Sequence, residues 1–296
     1  MYTDFSACRL CPRACGVNRN AGEKGFCGAG ALPEVSRVGL HFMEEPVISG
    51  TRGSGTVFFA HCTLGCVYCQ NFAISRAGSS GRVMNAEGLA EEYLKLERAG
   101  AHNINLVTPT HYMPVVLDSC AIARRAGLTL PFVYNTSGFE RPEAIDRLAD
   151  SVTVFLTDLK YRSPYLSERY SHSADYYDFA ASAIDRMVEI AGSPEYLADG
   201  TLKRGVIIRH LMLPAQGADT AAVLRQIAAR WGDRVLVSLM RQYTPVGEQL
   251  PPELTQTVTD REYRLAAEEM ETLGLEGFLQ EDSAVGTDKI PDWDPC

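Results

Sequence analysis

Residues 56–71 read Thr56-Val57-Phe58-Phe59-Ala60-His61-Cys62-Thr63-Leu64-Gly65-Cys66-Val67-Tyr68-Cys69-Gln70-Asn71. The first five are a continuous β-branched and aromatic run, the pattern of a strand covered on both faces. Directly after it, Cys62, Cys66 and Cys69 follow at gaps of three and then two residues. Three thiolates on one tight loop converge on a soft metal centre, and Gly65 allows the backbone to turn closely around it. A closed zinc or iron–sulfur site usually takes four ligands, and no fourth cysteine follows nearby. A cubane held here keeps one iron open. Three buried structural cysteines, or an incomplete zinc knuckle borrowing His61, are the alternatives.

Beyond this loop, short apolar runs alternate with amphipathic stretches. Strands are expected at residues 56–61, 103–108, 131–135, 152–158, 205–213 and 234–241, with a shorter one at 277–280. Helices are expected at 86–99, 113–126, 142–149, 174–190, 220–230 and 260–273, with Asn85 as an N-cap and Gly127 and Gly274 as stop signals. Repeated alternation implies right-handed crossovers and a parallel sheet. Six such units are too few for a closed eight-stranded barrel. The fold class is therefore α/β, either a partial (β/α)6 TIM-like barrel or an open doubly wound sheet, with the chemistry at the carboxyl ends of the strands.

Composition narrows the function. The chain of 296 residues is 46% apolar and 22% charged, so it can bury a substantial core. Its 28 basic against 37 acidic residues give a net charge of -9, which disfavours diffuse attraction to nucleic acid or anionic lipid. The opening Met-Tyr-Thr-Asp-Phe-Ser lacks the regions of a signal peptide, and no apolar run approaches a membrane span. The expectation is a cytoplasmic protein, in which clustered thiols more often ligate metal than form disulfides.

The cysteine loop after a first strand, with the aromatic Tyr68 just before the third cysteine, resembles the radical S-adenosylmethionine superfamily. That resemblance implies a [4Fe-4S] cluster on Cys62, Cys66 and Cys69, with Tyr68 beside the adenine of S-adenosylmethionine. It also implies reductive cleavage of that cofactor to methionine and a 5′-deoxyadenosyl radical that abstracts hydrogen from a substrate. From about residue 55 to 277 the chain is similar to the activating-enzyme-like branch, relatives of the pyruvate formate-lyase activases. The turn Thr108-Pro109-Thr110-His111 stands where that branch has a glycine-rich turn meeting the cofactor's amino group, without the paired glycines. Tyr134-Asn135-Thr136-Ser137-Gly138 resembles an Asp-Thr-Asn-Gly turn, with Asn135 replacing the acid, and Thr157-Asp158-Leu159-Lys160 keeps the Asp-Leu-Lys of the activases. Two residues apart on a strand, Asp158 and Lys160 face one side, where the lysine can neutralise the methionine carboxylate. Arg209 and His210 interrupt an apolar run. The arginine is read as a cofactor contact and the histidine as a satisfied packing residue. The cluster Met240-Arg241-Gln242-Tyr243-Thr244-Pro245 could close on adenine or substrate. The resemblance further implies an electron donor such as flavodoxin or ferredoxin and a protein or peptide target.

Cys8, Cys11, Cys15 and Cys27 form a second set, whose two short gaps and one longer gap suit a closed zinc site or a second iron–sulfur cluster. Cys120 is expected in the core and Cys296 free. The expected organisation is a cysteine-rich metal-binding segment at 1–50, the partial barrel at 51–280, and a tail at 281–296 that includes Trp293. The competing class is a noncatalytic iron–sulfur or zinc protein, either an electron carrier or an interaction module. A zinc hydrolase is a poor reading, because the six histidines are scattered.

Overall fold

The computed structural model describes residues 5–76, 81–246 and 250–280. The expected tail at 281–296, with Trp293 and Cys296, lies outside the described residues. The strands are β1 (Glu34–His41), β2 (Ser54–Phe59), β3 (Arg82–Val83), β4 (Ile104–Val107), β5 (Phe132–Thr136), β6 (Val154–Asp158), β7 (Glu195–Tyr196), β8 (Leu202–Leu211), β9 (Leu236–Met240) and β10 (Gly277–Leu279). The helices are α1 (Pro46–Ser49), α2 (Phe72–Ser75), α3 (Ala86–Arg98), α4 (Met113–Arg125), α5 (Pro142–Asp146), α6 (Pro164–Ser171), α7 (Tyr176–Ala191), α8 (Gly217–Arg230) and α9 (Asp260–Thr272). Asn85 caps α3 as expected, accepting from the Gly88 N–H at 2.9 Å.

The sheet runs β10-β9-β8-β6-β5-β4-β2-β1-β3, with β2, β4, β5, β6, β8, β9 and β10 all parallel. A doubly wound sheet reverses its strand order at a switch point. Here the parallel strands succeed one another in one direction, which is the winding of a barrel. The path ends at β10 and β3, so the barrel is partial.

Period-two alternation divides each strand between two cores. Phe132, Tyr134, Phe155, Val206, Ile208 and Val237 join the large core, where α3, α4, α7 and α8 also bury their apolar faces. Val133, Val154, Leu156, Ile207 and Leu236 point the other way, into a smaller inner cluster plugged by Ile48 of α1. The next inward positions along the same strands are Asn135, Asp158, Arg209 and Ser238, and these line a cavity. The inner face thus changes from apolar to polar toward the strands' carboxyl ends.

Besides the short β3, β7, α1 and α2, two longer elements were not foreseen, β1 and α6. β1 lies within the segment assigned to 1–50, yet it pairs antiparallel with β2, so that segment does not end where the sheet begins. Its Glu-Val-Ser-Arg-Val-Gly-Leu-His sequence is mostly half-buried and lacks the apolar run that marks the central strands. α6 precedes α7 as a separate helix, begun by Pro164 and capped by the Ser163 side chain.

Candidate metal and cofactor site

The loop after β2 holds its cysteines by local geometry. His61 and Gly65 both adopt left-handed φ, at 73° and 72°. The Cys69 N–H donates to Cys66 O at 3.2 Å, and the Val67 N–H reaches across to Tyr170 O at 2.8 Å. Each sulfur receives a donor. The Leu64 N–H points to Cys62 Sγ at 3.4 Å, Ser171 Oγ to Cys66 Sγ at 3.0 Å, and Ser75 Oγ to Cys69 Sγ at 3.4 Å. Donors aimed at sulfur stabilise the thiolate form that a metal requires. In the protein alone, burial pushes the Cys62 thiol up to about 12, and it raises Cys69 as well. Among the described residues no three His, Cys, Asp or Glu side chains already close on a single ion.

All three sulfurs line one cavity of about 680 Å³. That is within the range of sites for cofactor-sized ligands. Thr108, Asn135, Thr136, Asp158, Lys160 and Arg209 line it too, so the fold brings together residues spread over a hundred positions. Thr108 stands at a left-handed φ of 60°, and its N–H donates to Asn135 O at 2.8 Å, which ties the turn after β4 to the end of β5. Lys160 pairs with Asp158 at 2.5 Å. Burial opposes the lysine's charge, but the Asp158 carboxylate overrides it and holds the ammonium form well above its usual range.

Three assignments need correction in detail. Tyr68 is buried behind the loop and does not line the cavity. Its hydroxyl bonds that of Tyr161 at 2.6 Å, and its ring packs edge-on against Tyr161, Tyr170 and Tyr243. The reason is local: the tight turn that directs Cys66 and Cys69 into the cavity sends Tyr68 into the core. Arg209 faces the cavity, but its guanidinium is already engaged by Glu44 and Glu45, at 2.7 Å for the latter. Burial works against the Glu45 charge and Arg209 outweighs it, keeping that carboxyl below its ordinary value. His61, the borrowed ligand of the knuckle alternative, has its ring beside Glu34, at 3.3 Å but out of hydrogen-bond alignment, and beside His111 rather than on the cavity wall.

His210 is a packing residue, with Nδ1 at 2.8 Å from Leu159 O and Nε2 at 3.0 Å from Thr220 Oγ1. His111 is buried, its Nε2 at 2.8 Å from Ala60 O. Of the polar cluster that begins at the last residue of β9, Met240 and Gln242 line the cavity, while Arg241 pairs with Asp260 and Tyr243 packs on Tyr68. Cys120 is in the core.

Sequence reasoning missed the acidic wall. Glu44 accepts from Asn105 Nδ2 at 3.0 Å and Asn135 Nδ2 at 3.4 Å, and binds Arg209 with its other oxygen. Adjacent acids before Pro46 were the available signal. Phe42 and Met43 beside them also line the cavity and remain 56% and 60% exposed, an apolar rim at its mouth.

The model of the Radical SAM superfamily matches residues 56–216. An uncharacterised protein of Methanocaldococcus jannaschii is 28% identical over 283 residues, covering 92% of this chain and 76% of its own. Among solved structures, a radical SAM methyltransferase from Sphaerobacter thermophilus superposes with a TM-score of 0.54 at 15% identity, over 80% of this chain and 68% of that one. SuiB from Streptococcus suis, bound to its precursor peptide SuiA, gives 0.51 at 12% identity, over 76% and 47%. At these identities the two structures speak to the fold alone.

Proposed function

This chain belongs to the radical S-adenosylmethionine superfamily, and from that premise we propose that it is an activating-enzyme-like oxidoreductase that takes a hydrogen atom from a protein or peptide segment. Membership implies an enzyme with a [4Fe-4S] cluster and S-adenosylmethionine. Bound together, those groups supply one-electron cleavage of a carbon–sulfur bond, and the chain's own residues do the rest.

The observation that carries the reading is the meeting of three donor-supported sulfurs with charges of both signs on one cavity. Cys62, Cys66 and Cys69 would hold the cluster and leave its fourth corner to the cofactor. Lys160, held by Asp158, would neutralise the methionine carboxylate. Thr108, Asn135 and Thr136 would line the cofactor at the adjoining strand ends. The Arg209–Glu44–Glu45 set would shape the far wall, since its guanidinium is already matched by carboxylates. The loop around the triad keeps the centre shielded from one side by packed aromatic rings.

The exposed Phe42 and Met43 at the mouth support a segment of polypeptide as the target, because apolar rims suit a macromolecular partner. An electron donor such as flavodoxin or ferredoxin would reduce the centre. Cytoplasmic residence fits unpaired cysteines, and among the described residues no helix is long and apolar enough to cross a membrane.

Anaerobic reconstitution followed by a chemical reductant tests the proposal. The expected products from S-adenosylmethionine are methionine and 5′-deoxyadenosine, lost when Cys62, Cys66 or Cys69 is changed to Ala. A preparation with an intact cluster that forms neither product overturns it and favours a noncatalytic electron carrier or metal-stabilised module.

A further inference from the structure

Cys8, Cys11, Cys15 and Cys27 lie outside the site described above, yet the fold gathers them. The Cys8 N–H donates to Val17 O and the Gly16 N–H to Cys8 O, both at 2.9 Å, closing the first three cysteines into a loop. A turn from Gly25 to Gly28, with its N–H···O bond at 3.0 Å, delivers Cys27. All four line one small cavity of about 10 Å³, together with Arg19, Gly25 and His111. None of the four is in a disulfide. A Cβ on Gly25 would stand 2.8 Å from Cys15 Sγ, so glycine lets the backbone come this close to the sulfur without displacing it. The Phe26 N–H points to that same sulfur at 3.5 Å.

Arg19 provides a second, independent sign. It is 3% exposed, and its hydrogen bonds go to Gly30 O, to His111 O at 2.6 Å and to Cys8 Sγ at 3.7 Å, none of them a carboxylate. A buried guanidinium calls for negative charge nearby. A set of thiolates around a metal supplies it.

Arg13, between the second and third cysteines, reaches the back of the central loop. Its Nε donates to Thr63 O at 3.2 Å, and its Nη2 to Leu64 O at 3.1 Å and Ser171 O at 2.9 Å, while Nη1 binds His172 O. The guanidinium lies over the Phe26 ring at 3.9 Å from its centroid. One side chain therefore spans the carbonyls of the Cys62–Cys66 turn and those following Tyr170, whose neighbour Ser171 donates to Cys66 Sγ.

We propose that Cys8, Cys11, Cys15 and Cys27 hold a second metal centre with a complete protein ligand set, and that this centre fixes Arg13 as a clamp behind the Cys62–Cys66 turn. The segment from Phe5 to Gly30 contains one short 3-10 helix (Arg19–Ala21) and no strand, so it has little regular structure of its own to hold it. A four-sulfur centre offsets the entropy of ordering such a segment. With no open corner it anchors and does not react. The metal is a thiophilic one, a zinc ion or an iron–sulfur cluster. Arg13 is a positioning residue. The clamp, unlike the metal, rests on the reading of the central triad as the cluster loop.

The test uses full-length protein prepared anaerobically, with zinc, iron and sulfide measured per chain. In a variant with Cys62, Cys66 and Cys69 all changed to Ala, one zinc ion or one cubane of iron per chain remains, and adding Cys8→Ala and Cys27→Ala removes it. Absence of metal from the central triple variant, or its survival in the quintuple one, overturns the second centre. For the clamp, Arg13→Ala in an otherwise intact chain keeps the second metal while amide exchange across residues 62–66 becomes several-fold faster, and Arg13→Lys recovers part of the protection. Unchanged exchange in Arg13→Ala overturns the clamp. Because metal content is read without S-adenosylmethionine, failure of the proposed radical chemistry and failure of this centre are separate results.

Discussion

The two cysteine regions use one side chain in opposite settings. In the central loop three sulfurs stand on the wall of a cavity of about 680 Å³ that also carries Asp158, Lys160, Arg209 and Glu44. At the amino end Cys8, Cys11, Cys15 and Cys27 line a space of only about 10 Å³. Burial acts on thiols in both regions, pushing Cys62 and Cys11 each up to about 12. What differs is the number of sulfurs and the space in front of them. An incomplete ligand set facing a polar cavity leaves room for chemistry, whereas the complete set we propose at the amino end would leave room only for support.

The sharpest way to break that contrast is a reciprocal pair of variants. Cys66→Ala is expected to abolish 5′-deoxyadenosine formation while leaving most of the thermal stability. Cys11→Ala is expected to lower stability by at least the roughly 2–5 kcal/mol of a large core truncation. Equal losses in calorimetry would erase the distinction between a reactive and a supporting centre. The cavity wall can be tested next. Arg209→Met leaves Glu44 and Glu45 as buried carboxylates without their cation, at a cost of about 3–5 kcal/mol in urea unfolding. Adding Glu44→Gln and Glu45→Gln should return much of it, and a cost under about 1 kcal/mol would mean the wall does not depend on paired charge.

The smallest effect belongs to Glu140, whose carboxyl accepts from Thr110 Oγ1 at 2.5 Å, Thr136 Oγ1 at 2.6 Å and the Tyr134 hydroxyl at 3.1 Å. Burial raises it from 4.5 to about 7. An acid whose folded value is raised binds its proton more tightly when folded, so its contribution is complete below pH 4.5 and is lost as pH climbs through about 7. Glu140→Gln should therefore flatten the stability profile over that interval, gaining about 1–3 kcal/mol on the wild type at pH 8 relative to pH 4. Parallel profiles would show that Glu140 is already ionised in the fold. The carboxyl joins Thr110, two residues beyond the cavity residue Thr108, to Thr136 of the cavity wall at the end of β5, so the comparison is sharpened by asking how firmly the central site's own turns are held.

Much of this was legible before folding. The parallel strands announced themselves as apolar runs, and two-residue spacing correctly set Asp158 and Lys160 on one face. β1 was hidden because a half-exposed antiparallel strand has no continuous apolar signature. Tyr68 misled because adjacency to a cysteine says nothing about which side of a tight turn the next side chain takes. Arg209 was found, but its partners were not, since Glu44 and Glu45 reach it from another part of the chain across the barrel. Ser75 and Ser171, which donate to the central sulfurs, and Arg13, which grips the loop from behind, are ordinary residues in one dimension.

Covalent spacing alone was enough to specify the cysteine loop, the parallel α/β winding and the strand ends where the polar residues would gather, because neighbours along a chain cannot drift apart and strand periodicity is local. Only folding decided that Arg209 meets two carboxylates, that Tyr68 turns into the core and that Arg13 lies behind the Cys62–Cys66 turn. Those contacts join residues many tens of positions apart, and nothing but the packing of one element on another brings them within hydrogen-bonding reach.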